Sequence, residues 1–154
     1  MFASEYYKEA GCAPDIMTTA KSIAGGIPLS AIVARKEIMD KVHPGTIGGT
    51  YGANALAAVS ALKVIEVMTR DDFPGKALHI ADVLGNGFKE MQKKYPCIGD
   101  VRGTGAMMGI EFIKDEKKTP DAEIVVKIVP NAMNKGLMLE AAGTFNNVIR
   151  ILCP

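Results

Sequence analysis

The segment TTAKSIAGGIPLSAIVAR, residues 18–35, contains two strand-like stretches on either side of a glycine-rich turn. The β-branched residues at 16–19 favour one strand, and the apolar sequence LSAIVA at 29–34 favours another. The sequence Gly25-Gly26-Ile27-Pro28 is typical of the turn between them. The pattern therefore predicts that Lys21 lies at the end of the first strand.

Helical patterns follow on the C-terminal side of this segment. Residues 55–68 (ALAAVSALKVIEVM) are predicted to form a helix capped by Asn54. Because that helix is apolar on nearly all sides, we expect it to be buried inside a larger body. A second helix is predicted over residues 77–95, and the change in composition near residue 70 predicts a boundary between two lobes.

The last third of the chain mixes strands with one helix. A strand pair or bent strand is predicted at 101–113, and a helix at 121–135 that Pro130 should kink or interrupt. Two closing strands are predicted at 136–142 and 147–154. The alternation of strands and helices indicates an α/β or α+β body.

Composition excludes several classes of protein. The chain has 154 residues, of which 48% are hydrophobic and 23% charged, with a formal net charge of +1, so neither disorder nor nucleic-acid binding is indicated. Cys12, Cys97 and Cys153 have no C-x-x-C spacing and are predicted to be reduced thiols, not disulfides or zinc ligands. The absence of a signal-like or membrane-spanning apolar stretch predicts a cytoplasmic protein. The polar start and the strand at the end lead us to expect part of a larger protein.

Lys21 is the first candidate for chemistry. Lysines are usually solvated surface groups, but here small residues at 20, 22 and 24–26 leave room for a bulky ligand to approach the backbone. Partial desolvation of an amine favours its neutral, nucleophilic form. One use of such an amine is a Schiff base with an aldehyde cofactor.

The loop HPGTIGGTYGAN, residues 43–54, is the second candidate site. Its glycines, the Thr50 hydroxyl and the start of the following helix would suit a phosphate group. The alternative is a tight turn followed by the capping residue Asn54. No nucleotide-binding P-loop sequence occurs in the chain.

Arg150 is the third candidate, because it lies among apolar residues in NNVIRILCP. An arginine there needs a carboxylate partner, which could be a substrate carboxylate held by two hydrogen bonds or an internal ion pair. His43 and His79 have no metal-ligand spacing, so no metal site is predicted.

Four segments together resemble the C-terminal half of the class III pyridoxal-phosphate (PLP) aminotransferases, and the last of them is most similar to 4-aminobutyrate aminotransferases. The resemblance covers essentially the whole chain in the right order. It implies the fold-type-I aminotransferase architecture, an α/β fold, with residues 1–68 from the end of the large PLP-binding domain and residues 69–154 from the small C-terminal domain. The segments are residues 13–35, 48–68, 95–112 and 135–154.

The resemblance also implies roles for individual residues. Lys21 matches the lysine that forms a Schiff base with PLP and transfers the proton between the substrate Cα and the cofactor C4′. Gly49 and Thr50 match the loop that holds the cofactor phosphate, with Thr50 reaching across a homodimer to the neighbouring subunit. Arg150 matches the arginine that binds the α-carboxylate of the amino acid or keto acid.

The implied reaction transfers an amino group from 4-aminobutyrate, or a similar ω-amino acid, to 2-oxoglutarate. Acetylornithine and ornithine aminotransferases share the first two segments, so they remain an alternative. In the family, the aspartate that pairs with the pyridine nitrogen and the glutamate that pairs with the substrate-binding arginine precede the region matched here. A non-catalytic fragment that does not hold PLP is therefore a further alternative, and we expect the 154-residue chain alone to be inactive.

Overall fold

The computed structural model describes residues 2–52 and 54–153, which fall into two compact units divided between Phe73 and Pro74. Two positions within predicted segments, Ala53 of the glycine loop and Pro154 of the last strand, lie outside the described residues. The assignment of residues 1–68 and 69–154 to a large and a small domain remains a prediction. The helices are α1 (Ala3–Tyr6), α2 (Lys36–Met39), α3 (Ala55–Arg70), α4 (Phe73–Lys94) and α5 (Ala122–Met133), with short 3-10 helices at Lys8–Ala10 and Lys21–Ala24.

The first unit contains a two-stranded antiparallel sheet formed by β1 (Ile16–Thr19) and β2 (Ala31–Ala34). Thr19 pairs with Ala31, so the intervening segment closes the hairpin at the end that carries Lys21. Both strands predicted from the sequence are confirmed, although β2 is shorter than the apolar stretch at 29–34.

Helix α3 begins directly after Asn54, as predicted from the sequence. The Asn54 Oδ1 accepts hydrogen bonds from the backbone N–H groups of Leu56, at 3.0 Å, and Ala57, at 3.4 Å, which satisfies two donors that the helix itself leaves unpaired. The described residues cover only part of α3, so the expectation that it is buried inside a larger body stays a prediction. Ala57 and Ala61 are buried, whereas Val59 and Leu62 are about two-thirds exposed, because the small 3-10 turn at 21–24 covers only one side of the helix.

Helix α4 begins four residues earlier than the pattern predicts. Pro74 lies in its first turn, where a missing N–H costs nothing because the helix has no partner for it there. The break from α3 is thus confined to Asp71 and Asp72, and Asp72 has a left-handed backbone with φ of 48°.

The second unit is built on a four-stranded antiparallel sheet in the order β3-β4-β6-β5. Side chains on one face of this sheet form the hydrophobic core together with α5, where Val125 is almost fully buried. The opposite face carries the polar side chains of the sheet, Arg150 among them. The strands are β3 (Ile98–Thr104), β4 (Met107–Phe112), β5 (Glu140–Ala142) and β6 (Val148–Leu152).

Pro130 does not interrupt α5, which continues to Met133. Proline removes one backbone hydrogen bond to the carbonyl four residues before it, here that of Val126. Val126 is exposed, so water can bond to that carbonyl in place of the lost donor. None of the described helices combines the length and the apolar character needed to cross a membrane.

Candidate functional site

Lys21 is the first residue of the 3-10 turn Lys21–Ala24, two positions after β1 ends. Its backbone has φ of 62°, in the left-handed region that residues with a Cβ rarely adopt. Such a conformation costs about 1–3 kcal/mol and is found mainly where the surrounding structure imposes it, often at functional sites. A lysine side chain does not favour a left-handed backbone, so this conformation could not be predicted from the sequence.

Helix α3 holds the turn in place. The Ser60 hydroxyl donates a hydrogen bond to the carbonyl oxygen of Ala24 at 2.8 Å, and Ala24 is completely buried. Gly25 follows with φ of 60°, and a Cβ there would lie 3.2 Å from the Val64 side chain. The strained lysine is therefore anchored by a contact between residues far apart in the sequence.

Replacing Ser60 by alanine should lower the free energy of unfolding by about 0.5–1.5 kcal/mol, because the buried end of the turn loses a hydrogen-bond donor. Urea denaturation measures the change. Thr69→Ala is the matched control, since the exposed Thr69 hydroxyl donates to the Ile65 carbonyl one turn earlier in the same helix. Equal losses in the two variants would contradict the anchoring role.

Lys21 lines an open pocket of about 590 Å³, together with the turn that precedes β2 and the glycine-rich loop. Thr50 and Gly49 line the same pocket, so the structure brings these three predicted site residues together. The Gly52 N–H donates to the Gly49 carbonyl at 2.8 Å, which makes the loop a tight turn. The full lining is Lys21, Gly26, Ile27, Pro28, Leu29, Ser30, Gly49, Thr50, Tyr51 and Gly52.

Lys21 is exposed to solvent in the described chain, which corrects the expectation of a partly desolvated amine. The small neighbours that leave room for a ligand also leave room for water. Tyr51, on the facing loop, is 91% exposed. The pocket thus offers an accessible amine beside a hydroxyl, and none of the described residues lining it is acidic.

Arg150 lies in the second compact unit, on β6, and does not line this pocket. Its Nη2 donates to the Glu140 carboxylate on the neighbouring strand β5. The internal ion pair considered for this arginine is therefore present. The Arg150 Nε is buried and has no hydrogen-bond partner among the described residues.

A second arginine, which the sequence reasoning missed, lies on the same sheet. Arg102 makes ion pairs of 2.6 Å with both Asp100 and Glu111. Hydrogen bonds to these two carboxylates raise the pKa of the Arg102 guanidinium. The alternation Asp100-x-Arg102 in a strand was the available signal, because residues two apart in a strand share a face.

A sequence model of the family described as aminotransferase class-III matches residues 1–154. The chain belongs to the class-III aminotransferases. The resemblance seen in the sequence segments is therefore confirmed.

Two curated relatives and one solved structure illustrate the match. The chain is 44% identical to 5-aminovalerate aminotransferase DavT of Pseudomonas putida over 96% of its own length and 35% of the relative's. It is 45% identical to 4-aminobutyrate aminotransferase GabT of Escherichia coli over 100% of its own length and 36% of the relative's. An amine transaminase from an uncultivated Pseudomonas species, solved in a PLP-bound form, superposes with a TM-score of 0.83 at 28% identity, covering 94% of this chain and 34% of that one.

This class-III aminotransferase chain spans about a third of the length of the curated relatives it matches. The structural match confirms the predicted fold class, that of the PLP-dependent aminotransferases. The roles of Lys21, Gly49, Thr50 and Arg150 remain predictions.

Proposed function

We propose that this chain forms part of a PLP-dependent aminotransferase in which Lys21 carries the cofactor and Arg150 binds the substrate carboxylate. The observation that supports this most directly is the pocket shared by Lys21, Gly49 and Thr50. The left-handed backbone of Lys21 adds support, since strain of this kind is concentrated at functional sites.

The residues lining the pocket fit two of the three polar ends of PLP. The Lys21 amine suits the aldehyde, and the Thr50 hydroxyl with the neighbouring glycine loop suits the phosphate. When bound, PLP supplies an electron sink for the negative charge that develops at the substrate Cα. That property depends on a partner for the pyridine nitrogen, and no acidic residue of the described chain lines the pocket.

The residues of the pocket then have distinct roles. Lys21 holds the cofactor covalently and, once released, is the base that moves the proton at the substrate Cα. Gly49 allows the phosphate to approach the backbone closely, and the Thr50 hydroxyl donates to it. The family resemblance instead assigns Thr50 to the cofactor of the neighbouring subunit in a homodimer, whereas the pocket shared with Lys21 supports binding of the phosphate by Thr50 of the same chain. The homodimer is part of the proposal, and we adopt the same-chain role for Thr50.

We further propose that the amino donor is 4-aminobutyrate or a similar ω-amino acid, and that 2-oxoglutarate is the acceptor. The names of the two curated relatives support an ω-amino donor. Each proposed substrate carries a carboxylate, and the guanidinium of Arg150 suits a carboxylate bound by two hydrogen bonds. Competition between 4-aminobutyrate and acetylornithine as amino donors would separate this proposal from an ornithine-type enzyme.

A non-catalytic role for the 154-residue chain alone is the second candidate. It is favoured by the pocket itself, which is open and whose described residues include no acidic partner for the ring nitrogen. This second candidate predicts that the isolated chain does not hold PLP, whereas the first predicts that it captures PLP at Lys21 even if it does not turn over an amino acid.

Covalent capture tests the cofactor proposal. The chain is incubated with PLP, reduced with borohydride and digested, and the labelled peptides are identified by mass spectrometry. We expect Lys21 to be the dominant labelled residue, because it alone among the described lysines lines the pocket. Lys36 and Lys63, exposed and ion-paired with acidic residues of their own helical segments, are internal references. Labelling of Lys21 no greater than that of the references would contradict the proposal.

A further inference from the structure

Ser60 lies on helix α3, among the small and apolar residues of that helix. Serine is a poorer helix former than alanine, because its hydroxyl competes for backbone hydrogen bonds. Here the hydroxyl donates to the carbonyl oxygen of Ala24 at 2.8 Å, across 36 residues of sequence. Helix propensity therefore does not account for a serine at this position, whereas the contact with the turn at 21–24 does.

The segment that carries Lys21 is held at both ends. Before it, Thr19 pairs with Ala31 at the end of β1. After it, the Ala24 side chain is completely buried, and the Ala24 carbonyl accepts the bond from Ser60. Only residues 20–23 connect these two fixed points. So short a connection restricts the backbone between its ends, and Lys21 takes the left-handed φ of 62° within it.

The backbone conformation of Lys21 decides where its amine lies. A change from the left-handed to the ordinary region redirects the Cα–Cβ bond, and the whole side chain moves with it. The free-energy cost of a left-handed lysine and the net strength of one hydrogen bond are of similar size, so loss of one bond can let the lysine relax. The Ala24 carbonyl would keep its bond from the Ile27 N–H at 3.2 Å, so the turn remains and loses only its link to α3.

We infer that Ser60 is a positioning residue for the cofactor lysine: through the Ala24 carbonyl it holds Lys21 in the left-handed conformation that directs the amine to the pocket. This inference rests on the proposed role of Lys21. Ser60 acts through the turn, since among the described residues it does not line the pocket. The role differs from stabilisation of the fold, because it predicts a change in the reactivity of one particular amine.

The test compares wild type with Ser60→Ala in the 154-residue chain, by reduction with borohydride after incubation with a subsaturating amount of PLP. Labelling of Lys21 relative to that of Lys36 should fall about two- to tenfold, the range that the net strength of one hydrogen bond allows. A positive φ brings the amide proton and the Hα of a residue close together. The strong nuclear Overhauser effect between these two protons of Lys21 should therefore weaken in the same variant.

Two controls on α3 separate loss of the contact from loss of a hydroxyl. Ser60→Thr keeps the donor and should retain most of the Lys21 labelling. Thr69→Ala removes a hydroxyl that donates to the Ile65 carbonyl in the same helix, and it should leave the labelling unchanged.

Gly25→Ala provides a second variant at the same contact without removing the Ser60 donor. A Cβ at Gly25 would lie 3.2 Å from the Val64 side chain of α3, and φ of 60° is strained for alanine. This substitution should also lower the labelling of Lys21. If Ser60→Ala is too unstable to measure, undiminished labelling in Gly25→Ala overturns the inference.

The outcomes separate the inference from the proposed function. Equal labelling of Lys21 in wild type and Ser60→Ala overturns the role of Ser60, while the role of Lys21 in cofactor binding stands. Labelling of Lys21 in wild type no greater than that of Lys36 overturns both. A fall in Ser60→Ala that Thr69→Ala shares also overturns the positioning role, because it would reflect a general loosening of α3.

Discussion

Covalent capture of PLP is expected to disappear from the pocket when Lys21 is replaced by alanine, because no other amine of the described side chains lines it. In the isolated chain, the Lys21→Ala variant should show only the background labelling of exposed lysines after borohydride reduction. In a complete enzyme the same change removes the base at the substrate Cα as well, and loss of a general base alone slows catalysis about 10²–10⁴-fold. Peptide mapping and absorbance of the bound cofactor measure the two effects.

Two controls separate loss of the amine from loss of the fold. Lys36→Ala removes an exposed lysine that pairs with Asp40 and should leave capture in the pocket unchanged. Lys21→Gly removes the amine but also relieves the strain of a left-handed residue, which costs about 1–3 kcal/mol when a Cβ is present. We therefore expect Lys21→Gly to lose capture without becoming less stable than wild type. Undiminished capture in both Lys21 variants would exclude this residue from cofactor binding.

Gly103→Ala is expected to destabilise the second unit. A Cβ at this position would collide with the Met107 carbonyl oxygen and lie 2.8 Å from the Met108 Cα, both backbone atoms of the paired strand β4. Backbone cannot move aside as the end of a side chain can, so the hairpin between β3 and β4 must distort. Overpacking of this kind costs about 1–3 kcal/mol, which chemical denaturation would detect as a lower midpoint.

The same substitution at Gly87 is the matched control and should have the opposite effect on stability. Gly87 lies inside α4 without a positive φ, and a Cβ added there would meet no described atom within 4 Å outside its own helix backbone and chain neighbours. Alanine is favoured over glycine in a helix by about 1 kcal/mol, so Gly87→Ala should raise the midpoint. A stabilising Gly103→Ala, or a destabilising Gly87→Ala, would show that local sterics do not govern these two positions.

Prediction from the sequence succeeded where the deciding interactions are local. The Asn54 cap, the strands at 16–19 and 31–34 and the helix over 55–68 depend on residues within a few positions of one another. The prediction was wrong at Lys21, whose exposure depends on which distant segments cover it and not on its immediate neighbours. Pro130 does not interrupt α5, and the burial of α3 inside a larger body is not tested by the described residues.

The amino-acid sequence by itself indicated the family, through its resemblance to known members, and most of the helices and strands, through local propensity. It also predicted roles for Lys21, Thr50 and Arg150, which stay predictions. Only the tertiary structure decided which of these side chains lie close together. Lys21 and Thr50 line one pocket, and the strain at Lys21 is held by a hydrogen bond from Ser60, while the β5–β6 register places Glu140 opposite Arg150. Register and long-range packing depend on the free energy of the whole fold, which no short segment contains.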